Sequence, residues 1–331
     1  MKLIPAILTL ILICAPLGFA ATFFDESGQG EFVFLERYQN AQPGATAGAG
    51  SAHITGAQSL FINPAGLALG QQNPVVDATI EINAFSEKQG LVSFAHPIDS
   101  LYLMLSLAYT DNGSIQEVDE NRIITGKFHH SGNMVPAITL ASTFQKLHWG
   151  TTLKLITENL AQTDDSQTAL GWGVDAGILY QISPRYLSLS MAVINAGRKE
   201  RAHIVEGVNG GSLNTLIKTG VAYRIHQMPR LVLLADLEKP LHNYTRIKIG
   251  GEYQLNSVLN LRIGSQADTE QIREQFNELR GVNTFDYQGG NWLKFATGFG
   301  IKWDQFTLDY AARILTSDLG INHLMSLSLN L

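Results

Sequence analysis

Residues able to do chemistry are few in this chain, and each fails a spacing test. His129 and His130 adjoin. On an extended segment, neighbours point to opposite sides and cannot chelate one ion together. The plainer reading puts both in a solvated connection, 111–134. Gly281 and Gly289-Gly290 lack both the Gly-Lys-Ser/Thr that follows in a phosphate loop and its strand-loop-helix frame. No serine stands in a Gly-x-Ser-x-Gly frame, although triads are defined by geometry rather than motif. The one cysteine, Cys14, falls in an apolar leader. We therefore expect no catalytic residue, no metal site, no cofactor and no enzyme.

What remains is a set of charges at alternate positions. Lys154, Lys218, Arg224, Arg246, Lys248, Arg262, Lys294, Lys302 and Arg313 share one face of their segments with Asp175, Asp236, Glu238, Glu252 and Asp309. A charged interior has two uses. It can bind an anionic group such as a carboxylate, or it can lock wall to wall through ion pairs. The second is favoured, because the interior of a filled barrel is polar in any case. Asp309 and Arg313 are the expected pair.

The elements that carry these residues follow from the rest of the sequence. Lys2, the apolar run Ile7 to Ala15 and Gly18-Phe19-Ala20 read as a signal peptide, 1–20, cleaved after Ala20. Ile13 stands where a lipobox needs Gly or Ala, so Cys14 is discarded with the leader. Beyond Ala21 no run of eighteen apolar residues occurs, which excludes a spanning helix. The formal net charge of −6 argues against a nucleic-acid partner. Only 16% of residues are charged, fewer than a soluble domain usually carries.

From Pro74 onward apolar residues alternate with small or polar ones in blocks the length of a tilted membrane strand. Phe295, Thr297, Phe299, Ile301 and Trp303 share one face; Ala296, Gly298, Gly300 and Lys302 share the other. About fourteen such segments occur, an even number, as bacterial barrels have. Their connections sort by length. Those at 98–100, 146–147, 183–185, 226–229, 256–257 and 304–305 are short and share one end. The long ones, 111–134, 159–167, 198–214, 267–291 and 316–322, share the other, where only 86–87 and 240–242 are short. Trp149, Tyr180, Tyr223, Tyr253, Trp303 and Phe306 lie beside the short turns on the apolar parity, as an interfacial girdle would. The expected fold is all-β: a transmembrane antiparallel β-barrel over 74–331. Residues 21–73, Gly/Ala-rich and ending in Asn63-Pro64-Ala65-Gly66-Leu67, suit a small luminal plug.

Those last residues carry a resemblance. The Asn63-Pro64-Ala65-Gly66 signature resembles that of FadL-like barrels, and more closely their PorV/PorQ branch. Leu153-Lys154-Leu155-Ile156 with Glu158, Val193-Ile194-Asn195-Ala196-Gly197, Gly251-Glu252-Tyr253 with Leu261-Arg262-Ile263-Gly264, and Asp309-Tyr310-Ala311 are similar to that branch in the same order. The resemblance implies a fourteen-stranded outer-membrane barrel of a Gram-negative-type bacterium, with membrane lipid and lipopolysaccharide around it. For the PorV type it implies a type IX secretion component, with translocon components and cargo C-terminal domains as partners. The connections 111–134 and 267–291 would grip the cargo. The alternative is a FadL-like channel for hydrophobic molecules such as fatty acids. That needs a pocket above the plug and a break in the wall, with Gly171, Gly173 and Gly177 as the place for one. Two features depart from the pattern: Leu331 ends the chain where an aromatic is usual, and Thr55-Gly56-Ala57-Gln58-Ser59 replaces the acidic residues before the signature.

Overall fold

A computed structural model describes residues 30–37, 39–70, 73–83, 87–118, 124–160, 167–203, 210–270, 272–273, 294–316 and 320–331. The signal-peptide reading, the glycines at 281, 289 and 290, and most of the expected connection 267–291 lie outside them.

Period-two alternation produces strands throughout. They are β1 (Val75–Ile82), β2 (Lys88–Ile98), β3 (Leu101–Val118), β4 (Ile124–Phe144), β5 (Leu147–Asn159), β6 (Ala169–Ser183) and β7 (Leu187–Arg201). Then come β8 (Leu216–Arg224), β9 (Leu231–Pro240), β10 (Arg246–Gln254), β11 (Leu259–Asp268), β12 (Lys294–Trp303), β13 (Phe306–Thr316) and β14 (Gly320–Asn330). Each pairs antiparallel with its neighbours in sequence, and β1 pairs with β14 from Val75↔Asn330 to Ile82↔His323. The fold is a closed fourteen-stranded barrel. Closure leaves no strand edge bare. Two-residue turns place Asp99, Gln145 and Asp304 in the left-handed region; the short side chain of Asp is among those that tolerate it.

The outward parity is apolar and bare. Ile80 (58% exposed), Leu153 (58%) and Ile263 (63%) are typical. Holding such side chains in water forgoes roughly 1.5–3 kcal/mol each, so this exterior is stable against hydrocarbon. No helix among the described residues is long and apolar enough to cross a membrane.

Two expected loops are partly strand among the described residues. The segment 111–134 is mostly hairpin, because β3 runs on to Val118 and β4 begins at Ile124. His129 and His130 therefore sit in β4, pairing with Ile115 and Ser114. Similarly, β7 continues to Arg201, and residues 211–213 bond back to it.

Of the N-terminal residues, those described from 30 to 70 fold into short turns and the short helix α1 (Ala41–Ala45). They are almost wholly buried against inward-facing residues of the barrel. The Asn-Pro-Ala-Gly signature explains itself locally. Asn63 caps the turn Pro64–Ala68 by accepting from the Ala65 N–H at 3.1 Å, and Pro64 needs no donor at its first position. Ala65 is fully buried, and a Cβ on Gly66 would stand 2.4 Å from the Ile54 carbonyl.

Candidate functional site

The inner face carries most of the polar residues, and they meet in clusters. Glu238 sits at the centre of one. Its carboxylate receives Lys218 at 2.9 Å, Lys248 at 2.8 Å and Arg246 at 3.0 Å. Adjacent strands β8, β9 and β10 place these four at one height, because Lys218 and Arg246 both pair with Glu238 and Lys248 pairs with Asp236. Arg246 also reaches Glu36 of the N-terminal segment. A second cluster joins His53 to Glu252 (3.3 Å), Glu252 to Arg262 (2.6 Å) and Arg262 to Asp309. The expected Asp309–Arg313 pair does not form. Four residues along one strand are roughly 13 Å apart, whereas Arg262 reaches Asp309 across Gly300, where a Cβ would collide with both. Arg313 pairs instead with Glu81 of β1.

A third cluster lies deeper. Lys154 of β5 is buried between Asp175 (2.7 Å) and the Asn195 side-chain oxygen (2.6 Å), with the Phe61 ring 4.9 Å away. Asn195 takes a positive φ of 60° and its N–H donates to Asp175 at 2.7 Å. Here the β6–β7 register shifts, between Val174/Ala176 and Ala196/Val193. Parity on β7 consequently flips beyond Asn195, turning Lys199 inward to Glu31 of the N-terminal segment at 2.7 Å.

Two of the charges expected in the interior are elsewhere. Arg224 donates to the Pro229 carbonyl of the β8–β9 turn at 2.7 Å, and Lys302 is exposed at the same rim. Sequence reasoning also missed several residues. Asp77 accepts from Asn40 (2.8 Å) and Gln58 (2.7 Å), and Glu81 accepts from Asn322 (2.8 Å). The β1 alternation Asp77-Thr79-Glu81 could have revealed these two. Nothing in the sequence around Glu36 signals its role. Among the described residues no group of three or more His, Cys, Asp or Glu is placed to hold a metal ion.

Between the N-terminal segment and the half of the wall away from the short turns lies a chamber of about 560 Å³. Six basic side chains (Arg37, Lys218, Arg246, Lys248, Lys294, Arg313) line it against four acidic ones (Glu36, Glu87, Glu238, Asp268), leaving it net positive. Leu35, Phe61, Ile194 and Leu216 add apolar surface. Of its lining atoms, Arg313 Nε and Asn322 Oδ1 are buried without a hydrogen-bond partner among the described residues. The arrangement suits a compact solute with an apolar body and a polar or anionic end.

Below the chamber the wall thins. Gly150 of β5 pairs with Gly177 of β6, both facing inward against the signature turn. A Cβ at Gly150 would lie 2.4 Å from the Pro64 backbone, and one at Gly177 would lie 2.0 Å from Asn63. Asn63 donates to the Ile178 carbonyl of this wall at 3.2 Å. On the outer face the next pair, Thr151 and Ala176, is small and borders an apolar hollow of about 500 Å³. Of the expected glycines Gly171, Gly173 and Gly177, only Gly177 lies at this hollow. Only backbone separates Asn63-Pro64 from the hydrocarbon side.

No protein-family model and no curated protein matches the chain. Solved structures do. The toluene transporter TodX of Pseudomonas putida is similar with a TM-score of 0.63 at 14% identity, over 93% of this chain and 100% of that one. The toluene transporter TbuX of Ralstonia pickettii gives 0.60 at 13% identity, over 90% and 100%. At such identity the likeness is one of fold, and it extends over nearly the whole chain.

Proposed function

We propose that this chain is a FadL-like outer-membrane channel for small hydrophobic or amphipathic molecules. The supporting observation is the sequence of spaces along the barrel. A cationic chamber of about 560 Å³ lies on one side of the N-terminal segment, and a wall of paired glycines backed by an apolar hollow lies beside its signature turn. In this reading the N-terminal segment is a plug. A solute enters from outside, rests its polar end among Arg246, Lys294 and Arg313, and leaves sideways between β5, β6 and β7 once the plug shifts. The β6–β7 register break beside Asn195 supplies the weak seam. The inward charges serve as fixed pairs and as this binding face, and no enzymatic step is involved. Lipid and lipopolysaccharide surround the barrel.

A PorV/PorQ-like role in type IX secretion has one feature in its favour. The end of the β3–β4 hairpin, from Ser114 and His130 outward, pairs with itself alone among the described residues and shows Val118, Ile124 and Phe128 to solvent. Such a ribbon could hold cargo. It does not account for the chamber or the thinned wall, and the transporter-like fold favours the channel.

The test is a deletion strain assayed for two traits. Uptake of radiolabelled toluene and of a labelled fatty acid should fall, while surface delivery of exported cargo proteins is unchanged. Lost cargo delivery with intact uptake of both probes would overturn the channel reading.

A further inference from the structure

A second apolar space lies on the outer surface, away from the proposed exit. It spans β9 to β12 and measures about 800 Å³. Gly251 makes it. On β10 the outward positions are Ile249, Gly251 and Tyr253, and the cross-strand neighbours of Gly251 are Leu233 and Ile263. Where every neighbour presents a large side chain, Gly251 presents none, so the floor is bare backbone between apolar ridges. A Cβ there would meet nothing closer than the Val232 carbonyl at 3.6 Å. The site tolerates a side chain sterically yet lacks one.

The groove descends towards the short-turn rim, where Leu231, Tyr253 and Leu261 form its end. Two cations flank that end. Arg230 donates one N–H to the Leu255 carbonyl at 3.2 Å, on one side of the turn 255–258. Lys302 stands on the other side, its backbone N–H bonded to the Val258 carbonyl at 2.8 Å. Both side chains are exposed, and neither has an acidic partner among the described residues. Long cationic side chains at this height meet lipid phosphates, and a Tyr ring beside them marks the headgroup level.

We infer that this groove binds one glycerophospholipid of the leaflet at the short-turn side. One acyl chain lies over Gly251 between Leu233 and Ile263, and the phosphate rests between Arg230 and Lys302. The occupant is set by position: the groove lies on the outward, apolar parity, and its lower end lies between Arg230 and Lys302 on either side of the turn 255–258. Lys302, whose parity points inward, gains a role at the rim. The inference rests on the membrane-embedded reading but not on transport, since none of these side chains lines the chamber.

The test is native mass spectrometry of the detergent-purified full chain titrated with dioleoyl phosphatidylglycerol, with dioleoylglycerol as the phosphate-free probe. The wild type should retain one phospholipid through delipidation and bind the diacylglycerol at least about tenfold more weakly. Gly251→Leu fills the groove and should lower phospholipid retention by about tenfold. The double variant Arg230→Gln/Lys302→Gln, which changes two exposed side chains at the rim and leaves their backbone bonds in place, should lower it without altering heat-modifiable mobility. Equal retention by wild type and both variants, or equal binding of the two probes, would overturn the site. Unchanged uptake in the deletion strain, with phospholipid still retained by the purified chain, would instead count against the channel reading alone.

Discussion

Lys154 is the side chain with most at stake. Its amine is fully buried, and among the described residues Asp175 and Asn195 are its polar partners at hydrogen-bonding distance. Removing one member of a buried pair leaves the other charged and unpaired, which typically costs about 3–5 kcal/mol, whereas replacing both with neutral groups is often nearly neutral. Lys154→Met should therefore destabilise the barrel by about that amount. Lys154→Met/Asp175→Asn should recover most of it. Denaturant unfolding in lipid vesicles, followed by tryptophan fluorescence, measures both. Equal loss in the single and double variants would mean that the cluster acts through packing alone. The cluster also fixes the bulge, because the Asn195 N–H is bonded to Asp175 in place of a ladder partner.

At the scale of elements, the signature turn and the β5–β6 wall are complementary. Gly150 and Gly177 are required because the Pro64 and Asn63 atoms occupy the space of their missing side chains. Gly177→Val should displace Asn63, break its bonds to Ser51 (3.0 Å) and Ile178, and loosen the N-terminal segment. The expected outcome is larger single-channel conductance in planar bilayers and greater cell sensitivity to bulky antibiotics, with the barrel still closed. Unchanged conductance would show that this contact does not hold the N-terminal segment in place. Much of this was legible in the sequence. Period-two alternation located every strand, and the signature marked the turn. Strand ends on the long-loop side were not legible, since outside the apolar belt β3 continues through Asn112 to Glu117, a run in which Ile115 is the one apolar residue. Pairing was illegible for a different reason. Which charges meet depends on register and on gaps such as Gly300, and neither appears in one strand read alone.

For the whole molecule, closure is the governing fact. The ring has one seam that joins distant parts of the sequence, where β1 meets β14. It is secured at the rim by Val75↔Asn330, Val76↔Leu329 and the Leu331 N–H donating to Pro74 at 2.8 Å. Inside, the seam is tied by Ser328 on Asp77 and by Thr79 on Ser326 at 2.6 Å, with α1 bonded to Ser326 through the Ala41 N–H at 2.8 Å. A barrel that cannot close exposes two strand edges, and unpaired backbone in hydrocarbon costs several kcal/mol per group. Deleting residues 329–331 should therefore abolish the compact, heat-modifiable form on gels and trap the chain outside the membrane. Leu331→Phe keeps every one of these backbone bonds and adds outward apolar area, so it should assemble at least as well as the parent. If the truncated chain still closes, the inner ties of Asp77, Thr79 and Ser326 suffice for the seam, and the rim pairing is dispensable.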